Sequence, residues 1–305
     1  MVRILAFFVG IGFVLTMLFS LGSGLLSTLR DPPTATAAEE FHLKPGPLAL
    51  ASNGLFGKFD RQQVQRGYQV YKEVCSACHS MNRVAFRDLA ELGYTPAEVK
   101  AEALAHEVPS LNPDTGEVAT RKALPSDYFP APYPNETAAR AGNNNALPPD
   151  LSLIAKAREG GPNYIHSLLT GYRAQPAELL KKFPDTKTPV GLYYNPYFAN
   201  LNLAMPPPLK SDGQVTYADG TPATVDQVAK DVSAFLVWTA EPKLENRHRA
   251  GIAVLIFLIF ATVLGYMAYQ NIWATAKRKV APKGVLDPEH QASVKHAEGK
   301  AGIVG

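Results

Sequence analysis

Two long stretches of this chain carry no charged side chain, at residues 4–29 and 250–276. A helix rises about 1.5 Å per residue, so about 20 apolar residues cross a bilayer. The second stretch is long enough and has basic residues on both flanks. We therefore predict a transmembrane helix at residues 250–270 and a cytoplasmic tail at residues 274–305. The alternative, a buried core helix, is weak because long core helices nearly always carry a polar face.

The first uncharged stretch has two interpretations. A positive start at Arg3, an apolar centre and the small residues TATAA fit a secretory signal that is cleaved near Ala37 or Ala38. The apolar part is long for a signal, so an uncleaved N-terminal anchor is the alternative for residues 1–38. Both interpretations predict that residues 39–246 form an extracytoplasmic domain.

Between these stretches, the spacing of apolar residues predicts short helices that are joined by long loops. Val64 and Tyr68 lie at helical spacing after Asp60, a residue type that caps helix N-termini. We predict that this helix ends at the cysteines, and that further helices lie at 83–92, at 96–107, twice between 150 and 170, and at 224–240. The segments 108–150 and 171–222 are rich in proline, asparagine and glycine and are predicted to be irregular. No βαβ alternation is visible, so the predicted fold class is mainly α.

The composition excludes several classes of protein. A hydrophobic fraction of 46% with a mean hydropathy of −0.08 argues against a polytopic membrane protein. The formal net charge of +3 gives no indication of nucleic-acid binding. Only two cysteines occur, Cys75 and Cys78, which excludes a multi-disulfide scaffold and a four-cysteine metal site or iron–sulfur cluster within this chain.

The two cysteines lie in the sequence CSACH, and the pattern C-x-x-C-H indicates covalent haem attachment. Two thiols at this spacing can add to the two vinyl groups on one edge of a porphyrin, and His79 then lies under the ring within reach of the iron. Attachment outside the cytoplasm agrees with the predicted export. The alternatives are an exported thiol–disulfide enzyme, which lacks its usual βαβ context here, and a three-ligand zinc site.

A six-coordinate haem iron needs a second axial ligand, for which methionine and histidine are the usual choices. Four methionines are excluded because they lie in terminal or membrane segments or on the His79 side of the ring: Met1, Met17, Met81 and Met267. Met205 remains, in the stiff sequence LAMPPPL, and His106 and His166 are the rival ligands. Saturated coordination predicts an electron carrier rather than a protein that binds oxygen or peroxide.

Several longer segments resemble the cytochrome c1 family. They are CSACHSMNRVAFRDL, SDYFPAPYPNETAARAGNNNALPPDLSLIAKAREGG, YIHSLLTGY, GLYYNPYFANLNLAMPPPL and DGTPATVDQVAKDVSAFLVWTAEPKLENRH. The resemblance covers residues 55–280 and keeps the order of the family. It implies a cytochrome c-like haem domain with long loops on the periplasmic side of a bacterial inner membrane, which is held there by a single C-terminal transmembrane helix.

The resemblance also implies a site. It implies one covalent haem c with thioethers at Cys75 and Cys78, and with His79 and Met205 as the iron ligands. Arg158 matches an arginine that the family places near a haem propionate, and a buried propionate needs a cationic partner. Two further positions match residues that line the haem pocket, Asn143 and Pro149.

The function implied by the resemblance is electron transfer within the cytochrome bc1 complex. Such a subunit accepts single electrons from the Rieske iron–sulfur protein and passes them to a cytochrome c, and it is no enzyme on its own. The implied partners include cytochrome b, the lipid membrane and a second copy of the complex, but no nucleic acid. A free-standing, membrane-anchored cytochrome c is the alternative. Residues 173–188 depart from the family pattern because they are basic and longer than expected.

Overall fold

The computed structural model describes residues 2–31, 34–280, 288, 291–293 and 295–296. The chain divides into two units, Met1–Pro242 and Lys243–Gly305. The predicted cytoplasmic tail at 274–305 lies largely outside the described residues.

Short helices dominate the first unit. Its α-helices are α1 (Val2–Arg30), α2 (Ala37–Phe41), α3 (Arg61–Val70), α4 (Pro96–Leu104), α5 (Glu136–Gly142), α6 (Ile154–Ala157), α7 (Pro162–Thr170), α8 (Ala177–Lys182) and α9 (Val225–Ala240). A π-turn covers Tyr71–Cys75, and 3₁₀ turns cover Phe86–Leu92 and Pro184–Thr186. Two antiparallel strand pairs complete it: β1 (Glu107–Leu111) with β2 (Val118–Lys122), and β3 (Tyr193–Tyr194) with β4 (Asn202–Leu203).

Helices α3 and α9 pack against each other in the main core. Asp60 caps α3 and Thr224 caps α9, in each case by accepting a hydrogen bond from a backbone N–H of the first turn. Gly67 lies at the crossing point, where an added Cβ would come within 2.6 Å of Cβ of Phe235 and still closer to the backbone oxygen of Asp231. Only a residue without a side chain permits this approach.

A buried carboxylate fixes the relative position of the same two helices. Asp231 of α9 has no exposed surface, and its Oδ2 lies 2.9 Å from Nε of Arg66 of α3. Gln63 donates a hydrogen bond to Oδ1 of Asp231 at 3.0 Å. Arg66 also pairs with Asp219 at 2.7 Å. A charge buried in this way costs several kcal/mol if its partner is removed, so the cluster specifies one arrangement of α3 on α9.

Aromatic rings fill the core beside the cysteines. Tyr68 stacks on Phe129 at 5.9 Å, and Phe129 meets Phe86 edge to face at 4.7 Å. The hydroxyl of Tyr68 donates a hydrogen bond to Glu102 at 2.9 Å, and Lys72 pairs with the same carboxylate at 2.9 Å. Burial alone would raise the pKa of Glu102, but the hydrogen bonds from Lys72 and Tyr68 outweigh it and hold that pKa below its usual value.

A second, smaller core lies where α2 packs on α8. Its buried members are Ala37, Leu179, Tyr194 and Leu201. Phe41 meets Phe183 edge to face at 6.3 Å, and Lys182 forms an ion pair with Glu40. The segment 173–188, which departs from the family pattern, therefore has a structural role. Its helix α8 packs against α2, which precedes the main core in the sequence.

Most of the predicted helices inside the first unit are confirmed, and four details differ. The helix predicted at 96–107 ends at Leu104, because the chain then enters strand β1. The helix predicted at 83–92 is a 3₁₀ turn that begins at Phe86. The segment 108–150 contains most of a β-hairpin and helix α5, and the segment 171–222 contains α8 and a second strand pair. Both segments had been predicted to be irregular.

Two described helices are long and apolar enough to cross a membrane, Val2–Arg30 and the stretch Leu244–Ala274 of helix α10 (Leu244–Val280). No residue in the apolar window of either helix is buried inside the protein. The first also satisfies what a signal sequence requires. The predicted fold class, mainly α with a C-terminal helix that can span a membrane, is confirmed.

Candidate functional site

Helix α3 leads directly into the CSACH segment through the π-turn. The backbone N–H of Ser76 donates to the carbonyl of Tyr71 at 2.8 Å, which is the i to i+5 bond of that turn. The N–H groups of Cys78 and His79 both donate to the carbonyl of Cys75, at 3.1 and 2.9 Å. One tight turn therefore carries the two thiols and the imidazole.

Both cysteines are free thiols and are half-buried. Burial, with a smaller contribution from the neighbouring Cys78, raises the pKa of the Cys75 thiol to about 12. A raised pKa disfavours the thiolate form of Cys75, whereas a redox-active C-x-x-C pair typically has a thiol whose pKa is lowered. Among the described residues, no group of three His, Cys, Asp or Glu side chains is placed to hold a metal ion.

The imidazole of His79 is oriented by a single backbone contact. Its Nδ1 lies 2.8 Å from the carbonyl oxygen of Pro149. A carbonyl can only accept, so Nδ1 carries the proton and Nε2 keeps a free lone pair. Burial also lowers the pKa of His79, which favours this neutral ring. A neutral imidazole that is held at Nδ1 is the usual form of a metal-ligating histidine.

The loop that contains Pro149 is attached firmly to the CSACH segment. The N–H of Leu151 donates to the carbonyl of Ser80 at 2.9 Å. Ser80 Oγ and the N–H of Asn82 both donate to the carboxylate of Asp150, at 2.9 and 2.8 Å. Burial would raise the pKa of Asp150, but the hydrogen bonds from Asn82, Ser152 and Ser80 lower it. The supporting role of Asp150 was not predicted from the sequence, because its partners Ser80 and Asn82 lie about 70 positions away along the chain.

A cavity of about 170 Å³ adjoins Cys78, with Tyr133, Leu147 and Pro148 in its lining. Cofactor sites typically enclose roughly 300–1,000 Å³, so this cavity can take the edge of a large ring but not the whole of it. The two thiols, the free Nε2 of His79 and a cavity beside Cys78 that is lined by both apolar and polar side chains fit a covalently attached haem.

Met205 lies on a different segment from His79. It follows strand β4 by two residues, and its carbonyl accepts a hydrogen bond from the hydroxyl of Tyr172 at 3.1 Å. Its side chain is half-buried. Tyr172 was not singled out from the sequence, because the contact joins residues 33 positions apart.

Each of the rival histidines lies close to a carboxylate. Nε2 of His106 lies 3.5 Å from a carboxylate oxygen of Glu102. Nε2 of His166 lies 3.0 Å from a carboxylate oxygen of Asp226, but the geometry there is not that of a hydrogen bond.

The remaining predicted site residues have distinct surroundings. Pro149 lies against His79, as described above. Asn143 ends helix α5, where its Nδ2 donates to the carbonyl of Ala139 at 2.7 Å. Arg158 ends helix α6 and is exposed. No contact of the described residues joins Arg158 to the CSACH segment.

Comparison with known proteins identifies the family. The model of the Cytochrome C1 family matches residues 50–276. Cytochrome c1 of Rhodospirillum rubrum is 46% identical over 236 residues, which cover 73% of this chain and 85% of that protein. The cytochrome b-c1 complex catalytic subunit of Candida albicans mitochondria is 43% identical over 252 residues, 82% of this chain and 85% of the relative.

A third relative is much longer. Cytochrome b/c1 of Bradyrhizobium diazoefficiens is 44% identical over 279 residues, which cover 84% of this chain but only 39% of that protein. The predicted resemblance is confirmed by all of these matches. The chain therefore belongs to the cytochrome c1 family of haem-containing, membrane-associated electron-transport proteins.

Proposed function

We propose that this chain is the haem subunit of a cytochrome bc1 complex, and that it passes single electrons from the Rieske iron–sulfur protein to a cytochrome c. The observation that carries the proposal is the 2.8 Å contact of His79 with Pro149 beside two free thiols. The family membership and the names of the relatives support the place in the complex.

Each proposed site residue has a separate task. Cys75 and Cys78 would hold one haem c through thioethers, and Pro149, by accepting the Nδ1 proton of His79, leaves the Nε2 lone pair of His79 available as a ligand. Met205 supplies the second ligand from the segment that Tyr172 holds. The bound haem supplies the capacity to gain and lose one electron.

Two proposed residues lie outside this ligand set. Arg158 is an exposed cation that is free of ion pairs among the described residues, and it can neutralise a propionate. Asn143, at the end of α5, is proposed to line the haem pocket because it matches such a position in the family. A thioether ligand favours ferrous iron and raises the reduction potential, which suits an acceptor of electrons.

The proposed location follows from the apolar helices. Residues 39–246 lie on the periplasmic side of a bacterial inner membrane, a span at 250–270 anchors them, and the tail at 274–305 is cytoplasmic. Cytochrome b is the proposed neighbour in the membrane, in a complex that is dimeric. Residues 1–38 act as a signal peptide or as a second anchor.

Two measurements test this function. A pyridine haemochrome spectrum of the purified chain after acid–acetone extraction should report one retained haem, whereas a dithiol enzyme has none. Affinity purification of the chain from its own membranes should recover a b-type cytochrome and an iron–sulfur protein. Recovery of the chain with its haem but without these partners would favour the free-standing carrier.

The ligand assignment has its own test. Met205→Leu should leave the haem attached, lower its reduction potential and open the iron to carbon monoxide, because leucine cannot coordinate. The matched control is Met81→Leu, since Met81 is fully buried in the core and the exchange conserves its volume. An unchanged potential in Met205→Leu would assign the second ligand to another residue.

A further inference from the structure

Two segments of the first unit hold the proposed iron ligands in place. The His loop, residues 143–152, fixes His79 through the carbonyl of Pro149. The Met segment, residues 187–205, ends in Met205. Within it, β3 pairs with β4 immediately before the methionine. The Met segment is also tied to the chain before it, because Tyr172 donates to the carbonyl of Met205 and Asn195 donates to the carbonyl of Leu168.

One hydrogen bond joins the two segments directly. Nδ2 of Asn144, in the His loop, donates to the carbonyl oxygen of Gly191, in the Met segment, at 2.9 Å. Gly191 has a φ of +83°, and a Cβ at this position would lie 2.6 Å from the same Nδ2. The two residues are therefore in contact through both a polar bond and a close steric approach.

The conformation of the His loop around this bond is unusual. Asn144 and Asn145 have φ values of +50° and +61°, a region that costs most L-residues about 1–2 kcal/mol and that asparagine tolerates best. Arg140 holds this conformation: its carbonyl accepts from the N–H of Asn145 at 2.9 Å, and its guanidinium donates to the carbonyl of Asn145 at 3.3 Å. The strained turn aims the Asn144 amide at Gly191.

A continuous chain of contacts thus runs between the two ligands. It passes from His79 to Pro149, along the loop to Asn144, across to Gly191, and through the β3–β4 pair to Met205. Among the side-chain hydrogen bonds of the described residues, no other joins the His loop to the Met segment. The Asn144–Gly191 bond is therefore the direct polar link between the two ligand-bearing segments.

We propose that Asn144 and Gly191 form a positioning contact that sets the separation of the His79 and Met205 segments, and so the strength of the bond from the Met205 sulfur to the iron. This inference rests on the proposed function, because it requires His79 and Met205 to be the axial ligands. Neither Asn144 nor Gly191 touches the iron. They act through the backbone segments that carry the ligands.

Three single variants of the full-length holoprotein in detergent test the contact. Asn144→Gly removes the donor and keeps the positive φ accessible. Gly191→Ala places a methyl group against Nδ2. Gly116→Ala is the matched control, because Gly116 has a similar φ of +71° but nothing lies within 4 Å of an added Cβ. The readouts are the reduction potential, the far-red absorption band of a ferric methionine-bound haem, and carbon monoxide binding to the ferrous form.

Asn144→Gly should raise the fraction of carbon monoxide-reactive haem about twofold, as expected for loss of one solvent-exposed hydrogen bond at the low end of the usual range, and should lower the potential. Gly191→Ala should change both the carbon monoxide-reactive fraction and the potential by a larger amount. Gly116→Ala should match the wild type in both. The double variant Asn144→Gly/Gly191→Ala should lie closer to Asn144→Gly than to Gly191→Ala, because removal of the amide makes room for the methyl group.

Two outcomes overturn the inference. In the first, the wild type shows the far-red band, and Asn144→Gly and Gly191→Ala alter only the unfolding temperature, with the potential and carbon monoxide binding unchanged. The contact is then purely structural, and the proposed ligation stands. In the second, the wild type lacks the band, so that the proposed ligation and this inference fail together. If Gly191→Ala does not fold, Asn144→Gly decides between these outcomes.

Discussion

The crossing of α3 and α9 at Gly67 makes the fold directly testable. Gly67→Ala adds one methyl group whose carbon would lie 2.6 Å from Cβ of Phe235 and still closer to the backbone oxygen of Asp231. Non-bonded carbon atoms prefer separations of about 3.5–4.0 Å. The two helices must therefore move apart by about 1 Å to accept the variant.

The expected cost follows from two opposing effects. Overpacking a close-packed core costs about 1–3 kcal/mol, and the upper end applies here because a backbone oxygen cannot rotate away. Alanine otherwise gains about 1 kcal/mol over glycine inside a helix. The net loss in the free energy of unfolding is about 2 kcal/mol, which lowers the unfolding midpoint of a domain of this size by about 4–8 °C.

Thermal unfolding of the detergent-solubilised chain, followed by circular dichroism, measures this loss. Gln62→Ala is the control, because Gln62 lies on the exposed face of the same helix and its variant should stay within about 0.5 kcal/mol of the wild type. A midpoint for Gly67→Ala equal to or above that of the wild type would refute the reasoning. The gain in helix propensity would then outweigh any cost of overpacking, which would mean that α3 and α9 do not pack this closely.

Three further changes test other parts of the fold. Asp231→Asn should cost about 3 kcal/mol in urea unfolding, because it leaves the largely buried Arg66 without its buried carboxylate partner; a loss below about 0.5 kcal/mol would contradict the buried pair. Glu102, whose pKa is lowered by Lys72 despite burial, stabilises the fold above its usual pKa of 4.5, and this contribution disappears as the pH falls through the lowered value. Glu102→Gln should therefore flatten the acid side of the stability profile, and an unchanged slope would argue against the network. Phe183→Ala should speed amide hydrogen exchange in α2 while leaving exchange in α9 unchanged, and equal effects on both helices would contradict a separate small core.

The helices that are marked by a capping residue and an apolar stripe were predicted well from the sequence. Helix α9 occupies Val225–Ala240, against a predicted 224–240, because a cap at Thr224 and an apolar stripe both mark it. The β1–β2 hairpin escaped prediction because Pro109 interrupts β1 and neither strand alternates clearly between apolar and polar residues. The hairpin is stabilised by pairing between its two strands, which the periodicity of either strand alone does not register.

The candidate site divides in the same way. Cys75, Cys78 and His79 are adjacent in sequence, so one short motif was enough to find them. The contacts that support the site join residues far apart: Tyr172 to Met205 over 33 positions, and Asn144 to Gly191 over 47. Such pairs leave no periodic trace in a single sequence, and only the folded chain brings them together.

The π-turn at Tyr71–Cys75 lies between helix α3 and the CSACH segment, and it changes the direction in which the side chains point. In a regular helix each residue rotates the side-chain direction by about 100°, so the buried stripe of α3 would dictate where the thiols face. The wider turn accommodates one extra residue and resets the angular phase of everything after it. Shortening this turn by one residue would swing both thiols and the imidazole around the helix axis by about 100°. The length of this turn therefore sets the direction in which the two thiols and the imidazole of the CSACH segment point.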